Sequence, residues 1–145
     1  MTRESRDRVV DLLHELQCSC VICNGEDIRS FNQRGIKDLF ELLHSEPHLL
    51  NGAFVADKVV GKGAAALMIL GGIADLHADV LSRPAAKLLQ NANITFTYGK
   101  LADNIINRQG DGICPVDRLS SKCATAQECL PLITDFETQL RRQTF

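Results

Sequence analysis

Tryptophan is absent from this sequence of 145 residues, tyrosine occurs once, at Tyr98, and aromatic residues make up 5%. A stacking platform for single-stranded bases is therefore poorly supported. An excess of charge is also lacking: 16 Lys and Arg stand against 18 Asp and Glu, a formal net charge of −2. Nothing in that balance would neutralise a phosphate backbone, so broad nucleic-acid binding is disfavoured, while a local basic pocket stays open. No apolar run reaches the ~18 residues of a membrane span. The opening residues, Met1-Thr2-Arg3-Glu4-Ser5-Arg6-Asp7-Arg8, are charged and lead into no apolar signal core. A cytoplasmic location is expected on that ground. There the six cysteines, Cys18, Cys20, Cys23, Cys114, Cys123 and Cys129, are expected as thiols.

Several signatures of chemistry are missing as well. The four histidines, His14, His44, His48 and His77, form no HExxH pair, and there is neither a GxSxG elbow nor a GxxxxGK[ST] loop. Cys20 and Cys23 have CxxC spacing, but in a strand such a pair points to opposite faces, whereas a zinc knuckle needs both thiolates on one turn. No metal and no cofactor are expected.

What is present is ordinary for a globular α/β protein: 45% hydrophobic and 23% charged residues. At this length a chain buries about 70% of its unfolded surface without help from disulfides or metal. Val9, Val10, Leu12, Leu13 and Leu16 recur at helical spacing over residues 3–17, with Thr2 or Ser5 as cap. Residues 18–23 read as a buried strand, Asn24-Gly25-Glu26-Asp27 as a hairpin turn and residues 28–31 as the returning strand. A helix follows Gly35 and ends near Pro47, with Ala53-Phe54-Val55-Ala56 as a short strand. Residues 61–70 suit a buried helix stopped by Gly71-Gly72, residues 75–82 a fourth strand, and Pro84 opens another helix. Residues 93–98 make a fifth strand, residues 108–112 a loop, and the capping box Thr125-Ala126-Gln127-Glu128 starts a last helix running to about Leu140. Repeated helix–strand units predict a mostly parallel sheet with helices on both faces, the hairpin supplying one antiparallel edge. No repeat or linker divides the chain, so residues 1–145 are expected to form a single domain.

Two segments carry candidate chemistry. Asp57-Lys58-Val59-Val60-Gly61-Lys62-Gly63 places an acid and two lysines between the carboxyl end of a strand and a helix start. Ligands bind there in open α/β sheets, and free helix N–H groups attract anions. Lys58, Gly61, Lys62 and Gly63 are the expected ligand-binding residues; the plainer alternative is a turn in which Asp57 caps the helix. Gly112-Ile113-Cys114-Pro115-Val116-Asp117 is the second. There Cys114 suits a nucleophile or ligand-contacting thiol with Asp117 as a nearby carboxylate, against the alternative of a half-buried packing cysteine.

With Ala56-Asp57-Lys58-Val59-Val60-Gly61-Lys62-x-Ala64-Ala65-Ala66 in the middle and Cys114-Pro115-x-Asp117 late, residues 5–140 resemble an uncharacterised bacterial and protist family assigned to the cytidine-deaminase-like fold superfamily. The resemblance implies a three-layer α/β/α sandwich around a five-stranded mixed sheet. Zinc deaminases carry a His-or-Cys-x-Glu at one helix start and Pro-Cys-x-x-Cys at the next. Here those places read Arg34-Gly35-Ile36-Lys37 and Asp57-Lys58-Val59-Val60, so the ligands of a catalytic zinc are missing. The expected function is binding of a nucleotide-like or other small anionic ligand, with Cys114, Asp117 and Asp57 as the catalytic candidates if there is chemistry. The alternatives are a non-catalytic interaction module, as a homo-oligomer, and a divergent deaminase using Cys114 and Asp57.

Overall fold

A computed structural model describes residues 2–33, 36–106 and 112–143, with side chains described up to residue 140. The first helix, α1 (Arg3–Leu16), starts where Thr2 Oγ1 accepts the Ser5 backbone N–H and ends at Gln17, in the left-handed conformation. Val9 and Leu13 are buried, whereas Leu16 is 52% exposed, so the expected apolar stripe is narrower than its sequence suggests. Strands β1 (Cys20–Asn24) and β2 (Asp27–Phe31) form the hairpin, turning at Gly25 with φ 63°. β1 starts two residues later than expected.

Helix α2 (Lys37–Ser45) buries Leu39, Phe40 and Leu42. A short helix α3 (Pro47–Leu50) follows, unforeseen from the sequence, with Pro47 in its first turn. Strand β3 (Phe54–Val60) is longer than Ala53–Ala56 and runs through the segment read as a turn. Helix α4 (Lys62–Gly71) then begins after Gly61. Seven of its ten residues are buried, which is why it is apolar all round. Strand β4 (Asp75–Ser82) leads into α5 (Arg83–Asn91), where Ser82 Oγ accepts the Ala85 N–H. Strand β5 (Thr95–Ala102) extends past Tyr98, and a second unforeseen short helix, α6 (Pro115–Ser120), precedes the long α7 (Ala126–Gln143). The capping box forms: Glu128 N–H donates to Thr125 Oγ1, and Glu128 Oε2 accepts the Ala124 N–H. The predicted loop at residues 108–112 lies, up to Asp111, outside the described residues, as do Arg34 and Gly35.

The strand order is β2-β1-β3-β4-β5. β1 pairs antiparallel with both β2 and β3, while β3, β4 and β5 are parallel. The architecture is a three-layer α/β/α sandwich with a five-stranded mixed sheet. One face holds α1, whose Val9 and Leu13 pack on Val21, Cys23, Phe54 and Ala56. The other holds the main core, built from α2, α4, α5 and α7 around Cys20, Ile22, Val55, Leu76 and Ala78. That α4 and α5 share a face follows from two successive crossovers running in one direction with one hand. Cys20 and Cys23 fall in opposite cores, as the two-residue period of a strand demands.

Candidate functional site

Because residues 57–60 continue β3, their side chains alternate rather than converge. Asp57 stands beside its register partner Cys20, on the main-core side. Lys58 points the other way, where its Nζ donates to the Gln17 carbonyl at 3.4 Å. The two lysines of the motif therefore serve different faces.

Asp57 keeps some accessible surface, but its carboxyl group is surrounded by protein. Oδ1 accepts the Val59 N–H at 3.3 Å, so Asp57 bonds its own strand and does not cap α4. Burial pushes its pKa up to about 7; the Val59 and Lys58 N–H groups pull it down, and the charge of Asp79 adds to the rise. The Cys20 thiol alongside is held well above its usual range, chiefly by burial and then by the charge of Asp57. Asp38 completes this acidic group at the start of α2, where its carboxylate accepts the Gln33 backbone and side-chain N–H groups. Burial raises the pKa of Asp38 too.

The start of α4 lies a few residues along the chain. Gly61 has an extended backbone and offers no side-chain cap. The cap arrives from α6: Asp117 Oδ1 accepts the Gly63 N–H at 3.4 Å. A Cβ on Gly61 would fall inside the Asp117 carboxylate, and one on Gly63 would fall inside the Val116 side chain. Both glycines exist so that α6 can lie against the backbone. Burial raises the pKa of Asp117, while the N–H groups of Gly63 and Lys62 and the Lys62 charge lower it. The helix start attracts an anion, as its dipole requires, and the anion is the protein's own.

A family model described as a domain of unknown function, DUF1893 (TM1506), matches residues 8–137 of the chain. The chain belongs to the DUF1893 family. A search among curated proteins finds no match. The crystal structure of a DUF1893 family protein, TM1506 from Thermotoga maritima at 2.70 Å resolution, is similar, with a TM-score of 0.85 and 23% sequence identity, over 93% of this chain and 91% of that one. The likeness shows a common fold.

In this DUF1893 domain the expected site residues separate into two groups. Gly61, Lys62, Gly63 and Asp117 meet at the start of α4, while Asp57 lies under the start of α2 with Cys20 and Asp38. Lys62 donates through Nζ to the Cys123 carbonyl, tying α4 to the α6–α7 connection. Cys114 is half-buried at the start of α6 and packs against the main core rather than standing free in a loop. Its carbonyl accepts the Arg118 N–H.

Three features were not foreseen. The Cys123 and Cys129 thiols share a hydrogen bond in the core, where burial and that neighbour push Cys129 up to about 12. The Ser120 hydroxyl is buried without a well-formed hydrogen bond and faces the Cys129 sulfur. On the α1 face, His14 Nε2 lies 2.9 Å from both Asp79 oxygens, His77 Nε2 3.3 Å from Asp79 Oδ1, and His77 Nδ1 2.8 Å from Thr97 Oγ1. The alternation His77-x-Asp79 in a strand was the only available signal, and His14, 65 positions from Asp79 in sequence, carried none.

A catalytic zinc of the deaminase kind does not fit these residues. The starts of α2 and α4 carry Ile36-Lys37 and Gly61-Lys62-Gly63, which offer no ligand. The thiol and carboxyl groups around them, Cys20, Asp38, Asp57 and Asp117, are all held towards their protonated forms, the reverse of what a cation asks of its ligands.

Proposed function

We propose that this DUF1893 domain keeps a cytidine-deaminase-like scaffold and binds a small nucleotide-like ligand between the end of β3 and the starts of α2 and α4, without a catalytic zinc. The observation that carries this is Asp57, an enclosed carboxyl midway along β3, three residues before its end, with a pKa near 7. A group tuned in that way can hold or release a proton at neutral pH, and perturbed carboxyls of this kind concentrate at working sites. The ligand's anionic group takes the place of the Asp117 carboxylate at the start of α4, with Lys62 beside it. Asp117 thus competes with the ligand, and α6 gives way when the ligand enters.

A thermal-shift screen of nucleosides, nucleotides and sugar phosphates against the parent chain and Asp117→Asn tests this. A binder should raise the melting temperature by mass action, and more steeply in Asp117→Asn, where the competing charge is gone. If Asp117→Asn only loses about 1 kcal/mol of capping and no compound shifts either chain, Asp117 is a helix cap and nothing more.

One observation favours a second reading, a homo-oligomeric interaction module. β5 is an edge strand of eight residues, exposed along most of its length, with Tyr98 45% accessible. Unpaired edges of that length are templates for a further strand. Sedimentation velocity would show a dimer that Thr97→Pro, which removes an N–H from the strand, converts to monomer; a parent chain that is monomeric at all concentrations removes this reading.

A further inference from the structure

The α1 face of the sheet carries a group of reactive side chains of its own. α1 lies across β1 and β3, and the β5 side of that face is open to solvent. β4 and β5 run parallel with His77 opposite Thr97, so the two-residue strand period sets His77, Asp79 and Thr97 on one surface. His14 reaches the same carboxylate from the last turn of α1. The start of α4, where the ligand above is placed, uses none of these four residues.

The protons of this group follow from its bonding. An ionised carboxylate only accepts, and two ring nitrogens meet Asp79. His14 Nε2 lies 2.9 Å from both oxygens and His77 Nε2 3.3 Å from Oδ1, so both Nε2 atoms carry hydrogen. A neutral His77 ring then has a bare Nδ1, and that nitrogen is 2.8 Å from Thr97 Oγ1. The hydroxyl donates to it. The result is an unbroken chain from carboxylate to imidazole to hydroxyl, the arrangement that activates a weak nucleophile. A Thr–His pair kept for cross-strand packing alone needs no carboxylate behind the ring. The 3.3 Å link is long, as such bonds often are before a substrate tightens them. Thr97 is exposed while the His77 side chain is only 18% accessible, so the hydroxyl can be reached and its base is screened from water.

We propose that Thr97 is the nucleophile of a small acyl-transfer site on the α1 face, acting on activated esters or thioesters with His77 as general base. Thr97 Oγ1 bonds to the acyl carbon as its proton passes to His77 Nδ1. The bond from that carbon to the leaving oxygen or sulfur breaks, and the leaving group takes the proton from His77. Water then attacks the acyl-Thr97 ester, again through His77, releasing the acid and restoring the hydroxyl. Asp79 is a positioning residue: it holds the His77 ring in the tautomer with a bare Nδ1, and His14 steadies Asp79. This site stands apart from the start of α4 and works whether or not a ligand binds there.

The test treats the full chain with p-nitrophenyl acetate, maps the acetyl group by mass spectrometry, and reads the ring tautomers from histidine nitrogen chemical shifts. Thr97 should be acetylated ahead of every other hydroxyl of the chain, with a burst of p-nitrophenolate before slower turnover. Thr97→Ser should keep the burst and Thr97→Val should lose it. His77→Gln should slow acetylation of Thr97 about a hundredfold, the lower end of what a general base supplies. Asp79→Asn leaves hydroxyl and base in place, so slower acetylation should come with a mixture of neutral His77 tautomers instead of the Nε2–H form alone. The spectrum of the parent chain decides the matter even if the variants fail to fold: a neutral His77 ring protonated at Nδ1 overturns the proposal. So does acetyl found only on Cys114 or on lysines, or Thr97 acetylated as fast in His77→Gln as in the parent.

Discussion

Asp57 is held in an environment far from the one its type prefers. A carboxyl with an ordinary value of 3.8 titrates near 7 once folded, mainly through burial. The folded chain therefore holds this proton more tightly than the unfolded chain does. The stabilising protonated form is fully in place below about pH 4 and is lost as the pH rises through 7. Asparagine mimics the protonated carboxyl, so Asp57→Asn should match the parent in urea near pH 4 and overtake it progressively up to pH 7, levelling off above. A tenfold gain in proton affinity corresponds to about 1.4 kcal/mol, and the surface Asp57 retains reduces the full effect to about 2 kcal/mol. A stability difference that stays flat with pH would mean that Asp57 does not titrate as described.

Among the elements, α4 is the one against which the others are arranged, and its first turn is where the sequence is least free. Glycine inside a helix ordinarily costs roughly 0.5–1 kcal/mol relative to alanine, so Gly63→Ala in an open helix would be a gain. Here the new methyl lands on Val116 of α6, and forced overpacking costs about 1–3 kcal/mol. Gly63→Ala should therefore destabilise the chain in chemical denaturation. Val116→Ala removes the obstructing methyl groups, and the double variant should be more stable than the sum of the two singles predicts, a coupling of about 1 kcal/mol or more. Strict additivity would place α6 elsewhere. The same contact explains why a short, proline-led helix follows Cys114, where sequence reading expected a reactive thiol. Six residues do not declare a helix by periodicity, and α6 is held by what it packs on.

At the scale of the whole molecule, the five cysteines other than Cys114 are no more than 6% exposed, and burial raises the pKa of Cys20, Cys23 and Cys129. Brief alkylation followed by mass mapping should mark Cys114 first, and the other five only at the rate at which the chain opens globally. Early labelling of Cys123 or Cys129 would show that α6 and α7 detach as a unit of lower stability.

The sheet was legible from local pattern: the hairpin turn at Asn24–Asp27, the apolar strands and the Ala-rich helix each declare themselves within a few residues, because hydrophobic period and turn chemistry are local properties. The length of β3 was not legible. Asp57-Lys58 breaks the apolar run in sequence, yet pairing with β1 as far as Asp57 and with β4 beyond it carries the strand through to Val60. That extension turned an expected cluster of Asp57, Lys58 and Lys62 into side chains on separate faces. Sequence alone determined the α/β class, the strand count and the chemically suggestive residues. The tertiary structure decided which of them meet: Asp117 over Gly61 and Gly63, Cys20 under Asp57, Arg6 against Asp75. Each of these contacts joins residues at least 37 positions apart, as Cys20 and Asp57 are, and only the folded sheet and its crossovers bring such distant stretches of chain together.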